Sequence, residues 1–375
     1  MARGRAPAVE EIDELPEADR LEGFPHPRET SILYGHDTAE AALAQAFASG
    51  RMHHGWLLVG RRGIGKATLA YRLARHLLAE PRERDPAGRS LEIPPTAPAS
   101  RQVTALSHPG LLVLRRPYDP RTKRIGASIP VDEVRRLRSF LGHTGGDNAW
   151  RVVIVDSADE LNINAANALL KSLEEPPARA LFVLISAEPS GLLATIRSRC
   201  RRLDLAPLSS EPLKAAAGAA LSAADMEMPA PDVWQRIERL ADGSVRRALQ
   251  LASSGGLDLY ERVEAIFASL PKVDWGAAHV LSDQMGFGAQ EQRFEAFFDF
   301  FLGTLARLVR VAATGRGEAD ERALAQRLIE EGRLPAWAAL WQTVLQERND
   351  ALELNLDRRA LVLGTLARLE AVARG

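Results

Sequence analysis

The run Gly60-Arg61-Arg62-Gly63-Ile64-Gly65-Lys66 constrains this chain more than any other feature. Three glycines closed by a lysine match a phosphate-binding loop, and such a loop works only between a buried strand and a helix. Both flanks comply: Trp56-Leu57-Leu58-Val59 is an unbroken apolar run, and Ala70, Leu73, Ala74, Leu77 and Leu78 follow at helical spacing. In that setting the glycines let backbone N–H groups close around phosphate oxygens, while the lysine reaches the terminal phosphates. Gly60, Gly63, Gly65 and Lys66 are therefore nucleotide-binding candidates, with ATP, held weakly or not hydrolysed, as the expected ligand. The residue after the lysine is Ala67, where the pattern calls for the hydroxyl that ligates Mg²⁺. Thr68 is the next hydroxyl and joins the candidates. Adjacent helix residues point about 100° apart, so it is a poor substitute and the Mg²⁺ site is incomplete.

Three further apolar runs, Leu111-Leu112-Val113-Leu114, Val152-Val153-Ile154-Val155 and Leu181-Phe182-Val183-Leu184-Ile185, alternate with helical stretches. Unbroken apolar runs are the pattern of parallel strands buried on both faces. They predict a doubly wound α/β domain over residues 31–206, preceded by a flexible lead-in over 1–30 that contains Pro16, Pro25 and Pro27. Residues 80–108, rich in proline and charge, read as an insertion too polar for core. After Pro207 the strand signal stops: residues 207–258 read as a small helical unit and 259–375 as a helical bundle. In the latter, Phe294, Phe297, Phe298, Phe301, Leu302, Leu305, Leu308 and Val309 keep three-four spacing, as do Trp337, Leu340, Trp341, Val344 and Leu345.

Composition excludes several classes. A net charge of −1 gives no global basic field for nucleic acid, which leaves only local patches at Arg115-Arg116, at Arg121 to Arg124, and at Arg135, Arg136 and Arg138. These read as solvated faces. The single cysteine, Cys200, rules out intrachain disulfides and a four-cysteine zinc module. No apolar run approaches the length of a membrane span and residues 1–20 lack a signal-peptide core, so a soluble cytoplasmic protein is expected.

Val152-Val153-Ile154-Val155-Asp156 ends a buried strand on a carboxylate, the placement of the acid that holds Mg²⁺ in a P-loop NTPase. The next residue is Ser157, whose hydroxyl is far too weak a base to activate water. Two hydrolytic parts are thus missing from one site. Downstream, Asn167-Ala168-Leu169-Leu170-Lys171-Ser172-Leu173-Glu174-Glu175-Pro176-Pro177 precedes Thr195-Ile196-Arg197-Ser198-Arg199-Cys200. Together these segments resemble the bacterial clamp-loader subunits of DNA polymerase III, over residues 31–260, and the tail with Leu354-Asn355-Leu356-Asp357 is similar to that family's collar.

The resemblance implies an AAA+ P-loop doubly wound parallel sheet, a small helical lid and an all-α collar. It implies that Arg199 acts in trans as a finger on a neighbour's ATP, that Ser186 takes the place of a polar sensor, and that Arg246 takes that of a second sensor reaching nucleotide from the lid. Implied partners are the tau/gamma and delta subunits, with the sliding clamp and primed DNA met through the complex; polymerase chemistry resides in another subunit. Family members commonly carry zinc cysteines where this chain has its cysteine-free insertion, so no metal is expected. The expected role is a non-hydrolysing subunit. The alternatives are an ATP-hydrolysing tau/gamma motor, which would keep the hydroxyl, the Glu and the cysteines, and a stand-alone P-loop kinase.

Overall fold

The computed structural model describes residues 16–85, 87–121, 124–142, 149–253, 255–285, 291–330, 332–354 and 356–375. Its first part runs α1 (Asp37–Ala48), β1 (Gly55–Val59), α2 (Lys66–Leu78), α3 (Pro98–Thr104), β2 (Leu111–Leu114), β3 (Tyr118–Asp119), β4 (Arg124–Ile125), α4 (Val131–Gly142), β5 (Arg151–Val155), α5 (Ile163–Glu174), β6 (Ala180–Ser186), α6 (Ala194–Arg197) and β7 (Arg201–Asp204). The main sheet has the order β2-β5-β6-β1-β7 with every pairing parallel. Parallel strands are buried on both faces, and the alternation of side chains sends each strand into two cores. Trp56 and Leu58 join Ile154 and Val183 under α1 and α2, whereas Leu57 and Val59 join Val153 and Phe182 under α4 and α5. The sheet is therefore doubly wound, as the apolar runs predict.

The second part is helical: α7 (Ser210–Ala223), α8 (Pro231–Ala241), α9 (Val245–Ala252), α10 (Gly256–Ser269), α11 (Trp275–Asp283), α12 (Glu291–Thr314), α13 (Ala319–Leu328), α14 (Leu334–Leu354) and α15 (Arg358–Arg374). One apolar cluster runs through all of it, from Leu213 through Leu259 and Phe267 to Leu369. Phe294, Phe297, Phe298 and Phe301 of the predicted stripe are fully buried, and so is Phe300, which lies off it. α12 is buried on more than one face because α10, α13 and α14 all pack on it.

Three local features differ from the sequence reading. β7 carries Arg201-Arg202-Leu203-Asp204, with no apolar run, because an edge strand needs to bury little; its backbone pairing with β1 defines it. Residues 16–30 are not loose: Phe24 and His26 are buried, and Glu17 and Asp19 both pair with Arg115. The rest of the expected lead-in, residues 1–15, lies outside the described residues. Within 80–108, Leu91, Ile93 and Val103 are buried and α3 packs on α2, so scattered apolar residues among the prolines suffice to hold that segment down.

Candidate functional site

The C-terminal ends of β1, β5 and β6 lie side by side, with Val59 opposite Ser186 and Val155 opposite Leu184. This edge is where an open α/β sheet builds its ligand crevice, and it gathers Gly60, Asp156 and Ser186. Gly63 and Gly65 adopt φ of 77° and 107°, values that favour glycine, and turn the loop into α2. Lys66 folds back over the loop, its Nζ donating to the carbonyls of Gly60 and Arg61 at 2.5 Å each. Burial lowers the Lys66 ammonium to about 8, against the attraction of Asp156 and Asp159. Ser186 is fully buried and its Oγ has no hydrogen-bond partner among the described residues, an open polar atom at the end of β6. Thr68 is half-buried in the first turn of α2.

The loop and Ser186 fit a phosphate chain. They do not fit Mg²⁺, and the structure adds a reason absent from the motif. Asp156 is buried against Asp19 of the N-terminal segment, and its carboxyl is pushed up to about 8 by burial, then by Asp19 and Glu160, against the pull of Lys66. Burial also penalises Asp19, but His26, with Nε2 2.9 Å from Oδ2, and Arg115, with Nη1 2.8 Å from Oδ1, hold that carboxyl below its usual range. Asp19 is thus the ionised member and Asp156 the protonated one, and a protonated acid is a poor metal ligand. The neighbouring carboxylates are also committed: Glu160 pairs with Arg116 at 2.8 Å and Asp159 accepts from the Ala187 amide at 3.3 Å.

This arrangement has a sign that thermal melts can read. Folded Asp156 keeps its proton to about pH 8, whereas an unfolded chain releases it near pH 4 or so. Its contribution to stability is therefore present at low pH and lost as pH rises through that window. Asp156→Asn, which cannot ionise, should melt above the wild-type chain at about pH 9, with the gap closing toward about pH 5. A gap that does not change with pH would mean that Asp156 is ionised throughout.

Helices from the second part cover the loop. The Arg246 amide donates to the Gly63 carbonyl at 3.3 Å, Ser244 Oγ to that of Arg62 at 2.8 Å, and Arg61 pairs with Asp242. The approach is close enough that a methyl on Gly63 would lie 2.3 Å from Cβ of Arg246. The side chain of Arg246 reaches Glu295 of α12 at 3.7 Å. Next to it, Asp299 of α12 receives Arg62 and Arg348 at 3.8 Å each and accepts from Gln250 Nε2 at 3.1 Å. Burial would raise the Asp299 carboxyl, yet Arg62, Arg348 and Arg246 hold it below the ordinary value. No sequence motif marks Asp19, Glu295 or Asp299.

Arg199 is elsewhere. A methyl on Gly55, the first residue of β1, would touch the Arg199 carbonyl and Cys200 Sγ at 3.2 Å, while the phosphate loop follows Val59 at the other end of that strand. Four residues of strand separate the two ends by about 13 Å, so Arg199 lies at the opposite edge of the sheet from Lys66. Several arginines of the predicted basic patches are paired: Arg115 and Arg116 as above, Arg135 with Asp132 and Arg136 with Glu133. Thr122 and Lys123 lie outside the described residues.

Residues 35–209 match the family described as DNA polymerase III, delta subunit. The chain is also 32% identical over 324 residues to the delta' subunit of DNA polymerase III from Pseudomonas aeruginosa, an alignment covering 86% of this chain and 93% of that one. The chain belongs to the delta-prime family of DNA polymerase III subunits. It is 34% identical over 235 residues to the delta' subunit of Escherichia coli, covering 62% of this chain and 65% of that one. The tau subunit of Salmonella typhimurium is 29% identical over 364 residues, covering 91% of this chain but 54% of tau. Membership makes this a clamp-loader subunit, and its doubly wound parallel α/β sheet followed by helices is the fold that the motifs anticipate. Among the described residues no helix is long and apolar enough to cross a membrane, and no cluster of three or more His, Cys, Asp or Glu is placed to hold a metal ion.

Proposed function

We propose that this delta-prime relative is the non-hydrolysing subunit of its clamp loader, lending Arg199 in trans to an ATPase neighbour so that the sliding clamp is loaded on primed DNA. The observation that carries this reading is that Arg199 and the chain's own phosphate loop lie at opposite ends of β1. An arginine anchored at the far end of a strand about 13 Å long and held there by Glu174 does not serve its own site, and it is 34% exposed for a neighbour to meet. A planar, permanently charged fork suits the equatorial oxygens of a phosphoryl in transfer.

The chain's own site holds phosphate-binding parts without hydrolytic ones. Ala67 offers no hydroxyl, Ser157 no base, and Asp156 is protonated against Asp19. Arg246, the residue expected to reach nucleotide from the lid, is engaged by Glu295, and Arg62 beside it by Asp299. Weak ATP binding is compatible with this; turnover is not. These absences also weigh against a tau/gamma motor, and a stand-alone kinase has no use for an arginine facing away from its loop. Assembly with tau/gamma and delta is part of the proposal, and copurification of those subunits with the tagged chain tests it.

Alone, the chain should hydrolyse ATP far more slowly than about 1 s⁻¹, the low end of ordinary enzymes. A steady-state phosphate-release assay checks this. Turnover at that rate, abolished by Lys66→Ala, would contradict the proposal.

A further inference from the structure

The Arg199 guanidinium is held from two sides. Nη1 donates to the Thr195 carbonyl at 3.0 Å and to Ser198 Oγ at 3.5 Å, both within its own turn. Nη2 meets Oε1 of Glu174 at 2.8 Å, and Glu174 is the last residue of α5, a separate element. A long side chain free at several torsions loses that freedom only if something outside its own turn grips the tip. Glu174 does so.

The pair sits on a surface cavity of about 680 Å³ lined in part by His53, His54, Glu174, Arg199, Cys200 and Arg201. Four of these side chains are basic, and Glu174 is the one carboxylate among the residues lining it. Arg201 stands 5.0 Å over the Trp56 ring, and His53 and His54 stack at 4.4 Å, so Arg199 alone of the four is matched to that acid. With Arg199 34% and Glu174 48% exposed, the ion pair is open to an incoming anion. An exposed pair of this kind is weak. A phosphate carries more charge and accepts the guanidinium fork as well as a carboxylate does, so it can displace Glu174 from the arginine.

We propose that Glu174 is the positioning residue of Arg199: it aims the guanidinium at the rim of this cavity and yields it to the triphosphate of a nucleotide held by the adjoining subunit. The inference rests on the in-trans reading above. Glu174 then has two effects of opposite sign, aim and competition, and substitutions separate them. Glu174→Gln keeps an acceptor oxygen at the same reach and removes the competing charge. Glu174→Ala removes both, and Glu174→Asp falls short by one methylene.

The experiment reconstitutes the loader with each variant, in wild-type and Arg199→Ala backgrounds, and measures ATPase without DNA in complexes of unchanged composition. Glu174→Gln should raise the rate at the one site that Arg199 faces, at sub-saturating ATP, by about two- to fivefold, the range an exposed ion pair commands, through a lower KM, and the total rate by less. Glu174→Ala and Glu174→Asp should lower kcat at that site by a similar factor, about two- to fivefold, and the total by less. All of these differences should vanish when Arg199 is alanine. If Glu174→Gln matches wild type, or its effect persists without Arg199, Glu174 does not act through the arginine and the inference fails while the in-trans reading stands. If Arg199→Ala by itself leaves the rate unchanged, the in-trans reading fails and takes this inference with it.

Discussion

Arg199→Ala should slow hydrolysis at the one nucleotide site that the arginine faces by about 10³- to 10⁵-fold, equivalent to roughly 4 to 7 kcal/mol of barrier. The residue is a third exposed and bonded within its own turn and to Glu174, so the variant should fold and assemble. On the in-trans reading only the site that Arg199 faces suffers this full loss, so total ATPase falls by less than that factor, while coupled clamp loading falls steeply. Arg199→Lys should rescue poorly because a single ammonium cannot reproduce two parallel N–H donors. Reconstituted complexes carrying wild-type or variant chains, assayed for DNA-stimulated ATPase and clamp loading, decide the matter. Equal rates in intact complexes would make Arg199 a structural residue.

The second large effect concerns the junction over the phosphate loop. Asp299→Ala should destabilise the chain by about 3 kcal/mol, the lower end of the cost of stranding a buried charge, because Arg62 remains about a third exposed and partly screened. Three guanidiniums, of Arg62, Arg348 and Arg246, face that carboxylate, and Gln250 donates to it. Removing the acid leaves these like charges together with only Glu295, 3.7 Å from Arg246, to offset them. Asp299→Asn keeps the acceptor for Gln250 and should cost less. Arg62→Gln in the Asp299→Ala background should restore part of the loss, since it removes one of the stranded charges. Urea unfolding of the single and double variants measures each difference. A loss below about 0.5 kcal/mol, ordinary for a surface change, would show that Asp299 is a solvated acid and not the joint between loop, α9, α12 and α14.

Much of the fold was readable from pattern. A strand buried on both faces must be apolar without interruption, so Trp56, Val152 and Leu181 each open a run that named its strand, and the loop glycines with Lys66 named the crevice edge. The Phe294 to Leu308 stripe named a core helix by its period. β7 was not legible, because an exposed edge strand has no such composition. Nor was the packing of residues 16–30, where ion pairs and two buried residues do the holding. Motif reading brought out Arg199 and Asp156, since each stands in a run of recognisable spacing.

What tertiary structure alone decided is which of these groups meet. Periodicity reports the face a residue presents and says nothing of what lies across from it. Only the parallel register of β1 with β7 sets Arg199 at the far end of the strand from Lys66. Asp19 against Asp156, and Asp299 among Arg62, Arg246 and Arg348, join segments distant along the chain through single charges. Isolated acids are common on any solvated surface, and burial beside a partner is what turns them into a protonated Asp156 or an ionised Asp299; that burial exists only once the sheet, the N-terminal segment and the helices have come together.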